Sequence, residues 1–316
     1  MRIRPGGPTR STVADSAVAA GHNQIPLGIA YMVGSTVMFA GGNAVVKWQL
    51  ASYPLGEVAF GRTLFAFLTV AAIVLPRAGW GVLRTRRYRE HLQRGLSQFG
   101  SMLCWFLAVS ALSLGSATAI GFAAPLFTTL LSIVILKEKV GIHRWSALIV
   151  GFIGVVIITN PGAGSLTYGA LFALGNAVLI STVAIAIRRM SMSESAETLT
   201  LYQMSIMTLC TAGLLLLGFR APHWGDAVMV ALAGIGNGVA QFWWTRSLSY
   251  APPSAVAPFN YLSLVWASVL GFAVWGDVPT PGLLVGSAIV VASGLYILWR
   301  ETLRRRRTVV PAPQRA

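Results

Sequence analysis

Ten long apolar stretches fill almost the whole chain, and the last five repeat the first five. No other feature limits the fold so severely. Each stretch that crosses a bilayer reverses the direction of the next, and five is an odd number. A copy that follows a five-crossing unit therefore enters the membrane upside down. Two inverted copies facing each other are a recurrent way of opening one central site alternately to each side of a membrane. The stretches run Ile25–Trp48, Leu55–Pro76, Gly95–Leu114, Ala117–Leu136, Trp145–Thr159, Tyr168–Ile187, Thr198–Gly218, Val228–Thr245, Val256–Trp275 and Gly282–Trp299. Most approach the ~20 apolar residues that a hydrocarbon core requires. The fifth is short, so its ends are expected to reach into the interface.

Composition agrees. The chain is 55% hydrophobic and only 10% charged, with a positive mean hydropathy, whereas a soluble domain carries about a quarter charged residues. The first stretch follows a tail of more than 20 residues and is too long for a signal peptide, so it is expected to stay. Cys104 and Cys210 both fall inside apolar segments and read as small hydrophobes, not a disulfide framework.

The net charge of +15 could point to nucleic acid, but its distribution argues against that partner. If the N-terminus is cytoplasmic, all the lysines and arginines except Lys47, Arg220 and Arg62 fall in cytoplasmic segments, with clusters at Arg77–Arg94 and Arg300–Arg307. That is the positive-inside pattern, and it makes both termini cytoplasmic. The Arg304–Arg307 run could bind lipid headgroups; the plainer reading is a topology anchor. The high ratio of arginine to lysine fits a GC-rich bacterial genome. The expected place is therefore a bacterial inner (plasma) membrane, multi-pass, as a monomer or homodimer in contact with the lipid bilayer.

The repeat can be followed residue by residue. Gly28, Gly34 and Lys47 match Gly169, Gly175 and Arg188 at an offset of 141. Gly100, Phe106, Leu112, Ser113, Ala119, Leu126 and Ser132 match Gly236, Phe242, Leu248, Ser249, Ala255, Leu262 and Ser268 at an offset of 136. ALSLGSATAI after the third stretch returns as SLSYAPPSAV after the eighth, and Glu138 matches Asp277. Together with Arg62, GFIGVVIITNPG and APFNYLSLVWASVLGFAVWGDVP, these strings resemble the drug/metabolite transporter superfamily, in particular the EamA-type proteins. The resemblance covers residues 25 to 300 and looks most like the subgroup with riboflavin and S-adenosylmethionine transporters. It implies an all-α membrane protein with ten transmembrane helices in two inverted EamA repeats, residues 25–160 and 168–299, between cytoplasmic tails at 1–24 and 300–316.

A polar or ionisable side chain inside a membrane is a functional candidate, because burying it is costly. The competing reading is glue between helices. In the eighth stretch Asn237, Gln241 and Trp244 lie at i, i+4 and i+7, on one helical face, and the repeat puts Ser101, Trp105 and Ala108 at the equivalent positions of the third. Such a face suits a flat, partly polar solute. Asn260 and Tyr261 follow Pro258, and Phe122 precedes Pro125; a mid-helix proline frees a carbonyl and bends the helix. Asn43 and Asn176 each sit beside glycine and can meet solute or cap a weakened helix. Arg62, the one strong charge read as lying well inside a helix, can neutralise a solute anion, bond backbone carbonyls or pair with Glu57. None of the nine acids falls at mid-membrane, which disfavours an antiporter that binds cationic drugs and protons through a buried carboxylate. Glu138 and Asp277 read as partners of nearby bases, and His91, next to Glu90, reads as part of a solvated basic loop.

Three functions compete. A secondary carrier for a small neutral, zwitterionic or anionic metabolite fits the repeat, the faces and the resemblance. Riboflavin leads among solutes, since its ring could stack on Trp105, Trp244 or Tyr261; S-adenosylmethionine, aromatic amino acids for export, and other metabolites or drugs follow. A membrane enzyme would need a nucleophile and base or a metal cluster, and neither HExxH nor GxSxG occurs. No metal site and no cofactor are expected, since the four histidines have no ligand spacing. A membrane scaffold or sensor would leave the polar faces without a role.

Overall fold

The computed structural model describes residues 25–136, 142–159, 168–190, 193–251 and 253–308. These form twelve α-helices: α1 Ile25–Gln49, α2 Leu55–Ala78, α3 Tyr88–Ala111, α4 Leu114–Gly121, α5 Ala124–Leu136, α6 Ile142–Thr159, α7 Tyr168–Met190, α8 Ala196–Leu214, α9 Trp224–Tyr250, α10 Pro253–Asn260, α11 Leu262–Trp275 and α12 Pro281–Thr308. No strand occurs among the described residues. The fourth and ninth apolar stretches are each broken in two, which turns ten crossings into twelve helices. The protein is an all-α membrane protein of ten crossings in two inverted repeats.

The two repeats are interleaved. α1 makes its most extensive contact with α9 of the second repeat, and its counterpart α7 does the same with α3 of the first. α2 packs on α8 and α6 on α12, each helix against its own counterpart. Lipid tails are as apolar as leucine, so helices associate there through close packing and polar bonds, and small residues let backbones approach. The matched glycines sit at these crossings. A Cβ on Gly34 would come 2.8 Å from the Trp243 ring, and one on its counterpart Gly175 would meet the Cys104 sulfur at 3.3 Å. Between α6 and α12, a Cβ on Gly286 would fall 2.7 Å from the Gly154 carbonyl oxygen.

The breaks follow from proline chemistry. Pro125 has no N–H and its ring crowds the carbonyl four residues back. The chain answers with a turn at Phe122 and Ala123, and α5 restarts on bonds from the Leu126 and Phe127 amides to Ala123 O at 3.0 and 3.1 Å. In the second repeat the break falls at Tyr261, the position equivalent to Pro125, while Pro258 lies within α10 just before it. Ser113 caps α4 by accepting from the Ser116 amide at 3.1 Å.

Two sequence expectations need correction. α3 begins at Tyr88, well before the apolar stretch that starts at Gly95, and it carries Glu90, His91 and Arg94 in its first turns. His91 is not a solvated loop residue: it is 2% exposed and packs against Tyr202, with ring centroids 4.4 Å apart and planes tilted by 30°. Arg94 is not a loop charge either, at 4% exposed, so Arg62 is not alone as a buried helical cation. Arg94 Nη1 donates to Leu199 O at 2.6 Å, and Nη2 donates to Gln203 Oε1. A window of hydropathy averages over such turns; what buries them is α8, distant in sequence.

Candidate functional site

Arg62 projects from α2 and is 9% exposed. Its Nη2 donates to Asn237 Oδ1 of α9 at 2.8 Å and to Asn43 Oδ1 of α1 at 3.2 Å, and its guanidinium lies 5.6 Å from the centre of the Phe106 ring. Among the described residues neither a backbone carbonyl nor Glu57 bonds it; Glu57 Oε2 accepts from the Arg220 amide at 3.0 Å. One cation thus ties three helices drawn from both repeats. Charge-assisted bonds of this kind are about twice as strong as neutral ones.

The other half solves the same problem differently. Asn176 of α7 donates to Ser101 O at 2.9 Å and Ser101 Oγ at 2.8 Å on α3. Ser101 is the counterpart of Asn237, so the same pair of crossing helices is bonded in both repeats. Gln203, the counterpart of Arg62, takes its guanidinium from Arg94 across the α3–α8 contact.

An aromatic group lies near the Asn176 bond. The rings of Phe122, at the first break, and Tyr261, at the second, are 4.7 Å apart and tilted by 40°. The Tyr261 hydroxyl rests on Gly294 of α12, where a Cβ would collide with it. Trp105 on α3 reaches the same region, since a Cβ on Gly121 would lie 3.7 Å from its ring and 4.0 Å from Asn176 Oδ1. The Trp105 indole N–H is buried and finds no acceptor among the described residues. A buried donor without an acceptor is costly, and an incoming solute with a carbonyl or ring nitrogen would satisfy it.

Gln241 is half-buried on α9, and no bond engages its amide among the described residues. Trp244, one turn further on, packs with Ile25, Ile29 and Phe259 around Met32 and Val256. Asn260 is exposed at the end of α10. The sequence candidates therefore divide. Trp105, Phe122, Tyr261 and Asn176 converge; Arg62, Asn43 and Asn237 form a separate bonded triad; Gln241 and Trp244 continue the α9 face. Two cavities lie away from all of them, one of about 740 Å³ beside Arg84–Tyr88 and one of about 320 Å³ among Pro54, Leu103 and Leu214.

Every described carboxylate that takes part in a bond or ion pair lies near a helix end. Asp277 faces Lys47 at 3.6 Å, and Lys47 Nζ also donates to Leu112 O at 2.6 Å, joining the ends of α1, α3 and α11. Glu138, its matched acid, lies outside the described residues. The sequence pattern pointed to Asp277 but not to Lys47, which is distant in the chain. Trp266 was also missed: its Nε1 donates to Thr36 Oγ1 of α1 at 3.3 Å. Among the described residues no group of histidine, cysteine, aspartate and glutamate could hold a metal ion.

The fold agrees with comparisons to known proteins. A riboflavin transporter of Rhizobium johnstonii is 28% identical over 295 residues, 92% of this chain and 97% of that protein. An S-adenosylmethionine uptake transporter of Rickettsia bellii is 26% identical over 275 residues, 87% of this chain and 94% of the relative. A solved crystal structure shares the fold with a TM-score of 0.61 over 89% of this chain and 99% of its own, at 19% identity. The profile of the EamA-like transporter family matches twice, at residues 26–160 and 167–299. The chain is a multi-pass membrane protein that belongs to the EamA-like transporter family of the drug/metabolite superfamily.

Proposed function

We propose that the chain carries a small, flat, neutral or anionic metabolite by alternating access, with riboflavin as the leading solute. The observation that carries this is the unsatisfied Trp105 N–H beside the Phe122–Tyr261 pair, at the level where the fourth and ninth crossings break. An isoalloxazine-type ring offers an apolar face for those rings and carbonyl oxygens for the indole and for the free Gln241 amide. S-adenosylmethionine is the second reading, favoured by the Rickettsia relative. Its sulfonium would enter a region where the described chain offers aromatic faces and no carboxylate.

In this reading Arg62 positions helices, and Asn43 and Asn237 are its anchors rather than solute ligands. Both termini are cytoplasmic: a reporter fused after Arg307 should read cytoplasm, and one inserted between residues 160 and 168 should read the far side. Uptake of labelled riboflavin by proteoliposomes tests the solute. Replacing Trp105 by its benzothiophene isostere keeps the bicyclic ring and deletes only the N–H, so it should raise KM about three- to tenfold, the worth of one neutral hydrogen bond, without lowering stability. Saturable uptake lost in Gln241→Ala and Trp244→Ala supports the site. Absence of uptake, with competition only by S-adenosylmethionine or an amino acid, discards riboflavin and keeps the carrier.

A further inference from the structure

The 740 Å³ cavity has a chemistry that the transport site does not use. Its wall is formed by Arg84, Thr85, Arg86 and Arg87 from the loop before α3, and by Ser193 and Glu194 from the loop before α8. The wall is firmly built. Thr85 Oγ1 donates to Glu194 Oε1 at 2.6 Å and accepts from the Arg87 amide at 3.0 Å, and Arg87 Nη1 donates to Ser193 Oγ at 2.8 Å. Arg87 also meets Glu90 at 3.1 Å. Those contacts engage the carboxylate of Glu194 within the wall. They leave the side chains of Arg84 and Arg86, both exposed, without a bonding partner among the described residues. A second feature points the same way. α3 starts at this cavity with no side-chain cap on its first amides, and an uncapped helix N-terminus attracts anions.

The surroundings select the kind of anion. Trp80 is 75% exposed just before the cavity and Tyr88 lines it while 60% exposed; such aromatic residues mark headgroup depth. From Tyr88 the exposed face of α3 continues as Leu92 and Leu96, at i+4 and i+8, running away from the cavity along the helix. A soluble phosphate compound has no use for that apolar track. We propose that this cavity binds the phosphodiester headgroup of an anionic phospholipid, with its acyl chain along Leu92 and Leu96. The site joins the α3 and α8 ends of the two repeats. It rests on the chain's being embedded in a membrane and not on which solute it carries.

The test uses the full chain purified in detergent, with phosphatidylglycerol as probe. Lipid retention is read by native mass spectrometry, with phosphatidylcholine, glycerol 3-phosphate and inorganic phosphate as comparisons. Each surface arginine is worth about fivefold in affinity for anionic lipid. The Arg84→Gln/Arg86→Gln protein should therefore bind phosphatidylglycerol roughly 25-fold more weakly, while the equally charged control Arg77→Gln/Arg189→Gln retains it. Both arginine pairs are exposed, so neither variant threatens folding, and circular dichroism verifies this. Equal loss in the two variants would mean diffuse attraction and overturns the proposal. So does an absence of preference for phosphatidylglycerol over phosphatidylcholine in the unaltered protein. Competition by glycerol 3-phosphate or inorganic phosphate at the lipid's own affinity would make this a soluble-phosphate site and likewise overturns it.

Discussion

The triad at Arg62 allows a quantitative test. Asn237→Ala removes the shorter of the two bonds to Nη2, at 2.8 Å, and leaves the 3.2 Å bond to Asn43. A hydrogen bond to a charged group contributes about 1.5–3 kcal/mol. Neutral polar bonds between membrane helices average only about 0.6 kcal/mol. Because the guanidinium is buried, the charged value should win, and Asn237→Ala should cost about 2 kcal/mol. Arg62→Met removes the cation, the contact with Phe106 and both bonds, but leaves only neutral amides behind. In a double-mutant cycle the Arg62–Asn237 coupling should be about 1.5–2 kcal/mol, measured by reversible unfolding in mixed micelles. A coupling below about 0.5 kcal/mol would refute the structural reading of this bond. The same variants separate structure from recognition. If Arg62 only holds helices, solute affinity per folded molecule changes less than about twofold in Asn237→Ala. If it meets the solute, freeing the guanidinium tightens the binding of an anionic solute.

Three further outcomes follow from particular contacts. Gly294→Ala should push the Tyr261 ring from its seat, raising KM about fivefold, the worth of an aromatic contact, while the unfolding midpoint barely moves; an unchanged KM would detach Tyr261 from the solute. Lys47→Gln cuts the tie among α1, α3 and α11, so in a protein lacking Cys104 and Cys210, Gln241→Cys should react roughly fivefold faster with an impermeant maleimide from the side of Lys47, and unchanged labelling would show that this contact does not close that face. Burial pushes the His91 imidazole below its ordinary value; Glu194 opposes this, Arg94 adds to it, and Glu90 and Arg87 act more weakly with opposite signs. His91 precedes the apolar stretch at Gly95, and its folded form resists protonation. Stability is therefore complete above the unfolded value of about 6.5 and falls as pH drops below it, because the unfolded chain then binds the proton more readily. Thermal melts from pH 7.5 to 5 should show this slope, and His91→Gln should flatten it.

The membrane class and the inverted repeat were legible because both are written in local signals, apolar length and a recurring order of glycines and leucines. The two breaks were half-legible. Pro125 marks the first directly, whereas Pro258 lies ahead of the actual break at Tyr261. Partners were not legible. Arg62 finds Asn237 on a helix 175 residues away, and nothing in either segment names the other. The burial of Arg94 and His91 was hidden for a related reason: charged residues before an apolar run read as loop, and only the neighbouring α8 makes them interior. Trp105 was singled out by its place in the repeat, but that its N–H lacks an acceptor is a fact of packing alone.

The interleaving of the repeats also constrains how the protein is made. α1 leaves the ribosome well before its principal partner, α9, which ends at Tyr250, roughly 200 residues later. At a synthesis rate of about 5–20 residues per second, α1 waits on the order of 10–40 seconds before that partner exists. Throughout that interval Arg62 has no Asn237 to bond and Gly34 has no Trp243 to receive. The early helices must be sheltered by the insertion machinery or tolerated by lipid in a loosely associated state. A chain truncated before α9 thus leaves its first helix orphaned, and cellular quality control would meet an incomplete interface rather than a stable half.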